Sequence, residues 1–420
     1  MHSPCIVTLA LSIGLCTPIL AADEVVFPRF QPQEIDTGLK IGYAVIAADI
    51  NGDGKPDLVV VDQHQVVWYE NPTWKKRVIL DGKTKPDNVC VAAIDIDGDG
   101  KLDLVLGAGW RPSDTSNPGT LQWLKNPGVM DKEWAMYPIP CDEPTVHRLR
   151  VAKSDRDDKP QIIVAPLQGR DCTAKGNWTD GRPVRIVAYK VPANPEKPES
   201  WKPTVLSEEL HVVHNFWPIP IDGETALLTA SYEGVHMVFR DGDRWRTRRK
   251  GAGDQKNARA SRGASEVKMC NLGGKFGQGL PWCYPTIEPW HGNQVVVYSM
   301  EVGGDKLWDR YVIDDHLRWG HAVWCADLDG DGAEELIIGV RDDPNPKQGD
   351  TFTERRGVRI YKCTDGKGEK WTRQIIEDGG VAVEDLTAAD LDGDGKIDII
   401  AVGRQTGNAR IYWNRGMEKK

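Results

Sequence analysis

The chain has 420 residues, a formal net charge of −9 and 16 tryptophans. That acidic balance excludes a nucleic-acid partner held by a basic surface; the one dense basic run, Asp243-Arg-Trp-Arg-Thr-Arg-Arg-Lys250, reads as a single outer strand. Beyond the first two dozen residues no stretch is apolar and long enough to cross a bilayer, which excludes a membrane-spanning helix.

In chain order, residues 1–22 come first. Their apolar run from Cys5 to Leu20 ends in Ala21-Ala22 and reads as a signal peptide, so the chain is expected to be secreted or periplasmic. The segment lacks Lys or Arg before the apolar run, and Leu15 before Cys16 argues against a lipoprotein site. Of the seven cysteines that remain, Cys90, Cys270 and Cys325 sit in apolar strand contexts that suit buried thiols, while Cys141 and Cys172 are a candidate bridge. Phe30–Ile35 follows as an expected outer strand.

Next comes a nine-residue acidic loop that recurs four times. Its first copy offers oxygen ligands at Asp49, Asn51, Asp53 and Asp57 and a backbone carbonyl at Lys55. The others offer Asp95, Asp97, Asp99 and Asp103 with Lys101; Asp327, Asp329, Asp331 and Glu335 with Ala333; and Asp390, Asp392, Asp394 and Asp398 with Lys396. All-oxygen cages of this size suit a hard cation, Ca2+ first and Mg2+ second. An EF-hand needs a glutamate at position 12, where this chain has Val60, Leu106, Ile338 and Ala401 inside β-branched, apolar runs. The loops are therefore hairpin turns. Four divalent ions would bring the net charge to about −1, so most of the acidity is ligand charge.

The same frame without its acids recurs near Val151, Trp217 and Val267, which makes seven units spaced 46 to 67 residues apart. Seven units of four short strands predict an all-β, seven-bladed propeller with blades near 40–80, 86–140, 145–207, 212–250, 264–313, 318–377 and 381–415. The seventh unit stops after its third strand, Ala409–Trp413. The segment 28–37 is placed to complete it and remove an open edge.

In a propeller the acidic turns lie on one face and the entries to the innermost strands on the other, around the axis. The cations are thus expected to be structural and remote from the funnel. Six residues before each loop start stand Tyr43, Val89, His147, His214, Ser265, His321 and Glu384, with Arg148, Asn215, Glu266 and Asp385 one position later. Turns on the same face add Trp110, Arg111, Tyr232, Glu233, Trp290, His291, Arg341 and Arg404. Imidazoles, carboxylates, guanidiniums and indoles at one mouth suit a sugar or oligosaccharide. His147, His214, His321 and Glu384, with Arg148 and Arg341, are the candidate catalytic set. They could work as acid–base groups or hold a transition metal such as zinc.

The acidic hairpins resemble FG-GAP/VCBS repeats. Over the whole span beyond residue 22, Pro86–Cys90, Pro144–Arg148, His211–Trp217, Glu288–Gly292, Trp319–Trp324 and Val381–Leu386 resemble the propeller domain of fungal aldos-2-ulose dehydratases and their bacterial relatives. The resemblance implies a hydro-lyase acting on 2-keto sugars. The fungal enzymes continue into cupin and lectin-like domains absent from this sequence, so no isomerase activity of the cupin part is expected. Two other classes compete: a non-catalytic carbohydrate- or protein-binding propeller, and a polysaccharide lyase using Arg111, Arg148, Arg170 and Arg341.

Overall fold

Alternation along the second strand of blade one decides how it packs. Val59 and Val61 face blade two, while Leu58 and Val60 face blade seven, as the two-residue period of a strand dictates. All four are fully buried. The second strands Asp103–Ala108, Glu335–Val340 and Asp398–Gly403 are likewise buried along their whole length, so each is sandwiched between two neighbouring sheets. Among the described residues the core is accordingly seven apolar clusters, each bridging two adjacent sheets. Few large apolar side chains among the described residues remain exposed.

The computed structural model describes residues 25–153, 159–221, 223–256, 261–273, 282–299, 306–341 and 356–418; the expected signal segment lies outside them. Seven antiparallel sheets form a seven-bladed propeller, and among the described residues the one helical turn is the short 3-10 segment Pro198–Ser200. The innermost strands are Ala44–Ala48, Cys90–Ile94, Val146–Ala152, Asn215–Ile221, Gly320–Ala326 and Val383–Ala389. In blade five this strand is two short pieces, Glu266–Val267 and Cys270–Asn271.

Blade seven takes its fourth strand from the other end of the chain. Phe30–Asp36 lies antiparallel to Ala409–Asn414, with Phe30 opposite Asn414 and Asp36 opposite Ala409. The pairing is reinforced by an Arg410–Glu34 ion pair at 2.5 Å and by Trp413 Nε1 donating to Gln33 at 2.7 Å. The seven described cysteines are all free thiols, so Cys141 and Cys172 are not bridged.

Candidate functional site

Each inner strand starts at the funnel and ends at the turn that carries, in four blades, an acidic loop. His147, His321 and Glu384 are the second residues of their strands, and Tyr43, Val89, His214 and Ser265 stand immediately before theirs. One side chain per blade is thereby delivered to the same height on the axis, and four of them meet there. His214 lies 4.8 Å from His147 and 5.2 Å from His321, ring centre to ring centre. His291, supplied by a turn, completes the group at 4.9 Å from His214 and 4.8 Å from His321.

Backbone contacts fix the ring nitrogens. His321 Nδ1 donates to the Glu384 carbonyl at 2.5 Å; His214 Nδ1 donates to Glu266 at 2.9 Å and the Ser265 carbonyl at 3.1 Å. A carbonyl can only accept, so Nε2 of both rings is the lone-pair nitrogen whenever they are neutral. His214 Nε2 and His291 Nε2 face each other at 3.0 Å. His147 differs. Its Nδ1 donates to the His214 carbonyl at 2.9 Å, and Arg148 donates to its Nε2 at 3.2 Å, so both nitrogens are engaged.

Burial, then neighbouring Arg148 or Arg341, holds His147, His291 and His321 well below the usual imidazole range. Burial also lowers His214, although its bond to Glu266 pulls the other way. The site is thus built of neutral imidazoles. Burial alone would raise Glu384, but Arg341 at 2.6 Å and Arg404 at 2.9 Å outweigh it and keep the carboxylate ionised.

Indoles form the walls. Trp110 lies 4.9 Å from His147, Trp290 5.0 Å from His291 and Trp319 5.4 Å from His291. Arg341 stacks over Trp319 at 4.7 Å and Arg404 over Tyr43 at 5.1 Å. The Nε1 of Trp290 is buried without a partner. Other residues expected at the mouth do not reach the centre. Arg111 is exposed and pairs with Asp114, Glu233 is held by His211 at 2.8 Å, and the Tyr232 hydroxyl accepts from Asn177 at 3.0 Å. Arg111 is held within its own turn, whereas Glu233 and Tyr232 are held by residues of neighbouring segments. Trp319 does not stand out in the sequence as a wall residue, its only signal being its place two residues before His321 in the Trp319–Trp324 stretch, while Glu266, expected at the mouth, lies in a two-residue strand and orients His214.

Donor chemistry can be tested for metals. One ligand atom each from His214, His291 and His321 lies within 4.8 Å of the others. With Nδ1 of two rings tied to oxygen acceptors, the set fits a zinc-like ion.

In the acidic loops, Asp95, Asp97 and Asp99 converge in the same way, as do Asp327 with Asp329 and Glu335, and Asp390 with Asp392 and Asp398. The loop at 49–57, with Asn51 in third place, keeps the same frame: Asp49 accepts from Gly52 and Gly54 and Asn51 from Asp53, as their equivalents do elsewhere. Gly52 and Gly54 have φ of 75° and 86° with no atom crowding them, so the sharp turn itself requires glycine. Lysine amines contact the loop carboxylates. Lys362 contacts Asp329, Asp331 and Glu335, Lys101 contacts Asp99, and Lys396 contacts Asp394. The loop chemistry therefore fits a hard cation.

Comparison with known proteins agrees with this geometry. Residues 118–301 match the family model described as aldos-2-ulose dehydratase, beta-propeller domain, and residues 49–106 match an FG-GAP-like repeat. Aldos-2-ulose dehydratase of Phanerodontia chrysosporium is 27% identical over 277 residues, 61% of this chain and 29% of the relative, so the match spans under a third of the relative's length. Two crystal structures of BBS1N in complex with ARL6DN, soaked with mercury or with lead, share the fold. Their TM-scores are 0.55 and 0.53 at 12% and 13% identity, and each match covers 94% of this chain and 99% of the other. The chain is a seven-bladed propeller that carries an FG-GAP-like repeat over residues 49–106 and resembles the propeller domain of aldos-2-ulose dehydratase.

Proposed function

We propose that the funnel is a lyase site that removes water from a 2-keto sugar of the aldos-2-ulose or anhydrofructose type. The observation that carries this reading is the meeting of His214, His291 and His321, all neutral, beside the Arg341–Glu384 pair. Elimination next to a carbonyl needs a base for the carbon-bound proton, a group for the enolate oxygen and an acid for the departing hydroxyl. Nε2 of His321 is the base in this reading. The imidazolium it becomes would lie 3.8 Å from the Glu384 carboxylate, which stabilises it. Arg341, 4.7 Å over the Trp319 ring, would bind the developing enolate oxygen. The N–H shared by His214 and His291 hydrogen-bonds the leaving oxygen, and the proton that departs with that oxygen as water is the one His321 took from carbon, so all three rings end neutral. Trp110, Trp290 and Trp319 present apolar faces to the C–H surfaces of the ring. A zinc-like ion held by His214, His291 and His321 would occupy these ring nitrogens, and would then supply Lewis-acid polarisation of the keto oxygen in place of their acid–base work.

In the same reading the four acidic loops hold structural Ca2+, with Mg2+ as the second fit, and the protein works outside the cytoplasm. The base step can be isolated by following 1,5-anhydrofructose in D2O by NMR. Wild type should exchange or eliminate the proton beside the carbonyl, and His321→Ala should do neither. Exchange at equal rates in both proteins would remove His321 from the role.

A further inference from the structure

Beneath the imidazole layer the axial channel opens into a second cavity of about 370 Å³. Toward the acidic-loop face its wall includes Ala47, Ala93 and Ala389, small and only half-buried, so the channel is open on that side. Its deeper wall carries Arg150, Lys268 and Asp385 against Trp217. Lys268 is 4% exposed, and its Nζ sits 3.7 Å over the Trp217 ring with no carboxylate in ion-pair contact among the described residues. Arg150 flanks the same indole at 5.3 Å, and its Nε has no acceptor. Glu266 is already used by His214, Asn215 and Arg148, and Asp385 accepts from the Val45 amide at 3.1 Å without touching either cation. Three cations (Arg148, Arg150, Lys268) thus share the channel with two carboxylates. A buried charge without a contacting partner is costly, and one monoanion would balance this set.

We propose that this channel is a second ligand site, for a small hydroxycarboxylate of the sugar-acid class, held by Arg150 and Lys268 through its carboxylate and by Asp385 through a hydroxyl. The volume and the alanine walls exceed what a bare inorganic anion would fill, which favours an organic body. Burial and the neighbouring Arg150 push the Lys268 ammonium down to about 7, against the pull of Glu266, Asp385 and Cys325. A bound anion favours the charged amine, so binding above pH 7 takes up a proton and weakens as pH rises. The site is independent of the chemistry assigned to the funnel.

Titration calorimetry of the full chain with D-gluconate, against D-glucitol as the uncharged control, tests this. Gluconate should bind one saturable site with proton uptake at pH 8, and glucitol should bind at least tenfold more weakly. Lys268→Met should lose about 10–100-fold in affinity, the usual worth of one or two charge-assisted hydrogen bonds. Ala93→Leu, which narrows the mouth without touching the charges, should also weaken binding, whereas His321→Ala should not. Equal binding of gluconate and glucitol, no saturable binding, or loss of binding in His321→Ala with retention in Ala93→Leu would overturn the proposal.

Discussion

Asn126 donates from its side-chain amide to the backbone carbonyl of Ile50, 2.9 Å away in the acidic loop of the preceding blade. Asn71 does the same to Leu391 at 2.7 Å and Asn414 to Leu328 at 2.7 Å. Each asparagine is anchored in turn, because its backbone amide donates at 2.8 Å to the buried acid of its own blade: Asp57, Asp103 or Asp398. A loop that holds its shape therefore also holds the next blade in register.

Removing the cation should loosen that coupling. Without one, the carboxylates of each loop repel each other at short range. Excess chelator is expected to lower the melting temperature, and added Ca2+ to restore it, with the largest rise for the cation that fits best. An unchanged melting curve in chelator would mean that the loops are empty turns.

The latch itself is testable without any metal. Asn126→Ala removes two side-chain donors' worth of contact, to Ile50 and to Leu102, and leaves a buried carbonyl unsatisfied. The expected loss is about 1–3 kcal/mol in urea unfolding. A loss no larger than that of an exposed surface substitution would show that the blades hold register by apolar packing alone.

His236, in the third strand of blade four, gives a pH prediction away from every proposed ligand. Burial lowers it from the ordinary value of 6.5 to about 4. The unfolded chain takes up a proton below pH 6.5 that the native imidazole refuses. Stability should therefore fall as pH drops from 6.5 to 4, by at most about 1.4 kcal/mol per unit from this residue. The difference in urea midpoint between pH 7.5 and pH 5 should be smaller in His236→Leu than in wild type. Equal differences in the two proteins would contradict it.

Much of the fold is legible in the sequence because the repeat carries its own markers. Acids at fixed spacing, followed by runs such as Leu58-Val-Val-Val61, locate the first two strands of four blades. The inner-strand residues follow from the same frame, since one position per blade must converge on the axis. The turn residues are harder. His291 and Trp319 reach the centre from backbone with positive φ, 50° and 56°, which no pattern of alternation reveals. Arg111 and Glu233, of equal promise on paper, are held outside by Asp114 and His211. Nothing in the sequence marks Lys268; its burial follows from the axial channel, which depends on all seven blades together.

The two classes of funnel histidine should separate in kinetics. His214→Ala and His321→Ala each remove an Nε2 assigned to the chemistry and are expected to lower the rate about 10²–10⁴-fold, the typical loss of a general acid or base. In His147→Ala the lost nitrogens were both engaged, so the expected effect is smaller and accompanied by destabilisation. Equal losses of rate at His147 and His321, with melting temperatures unchanged, would argue against that division.

The most direct test of the lyase reading is the ultraviolet absorbance of purified wild-type protein incubated with 1,5-anhydrofructose, with and without added Zn2+. Dehydration beside the carbonyl conjugates a new double bond with it. Absorbance should therefore rise linearly with enzyme concentration and fail to rise with a folded His321→Ala protein. Saturable binding of the sugar with no chromophore under either condition would contradict the lyase and leave a carbohydrate-binding propeller in its place.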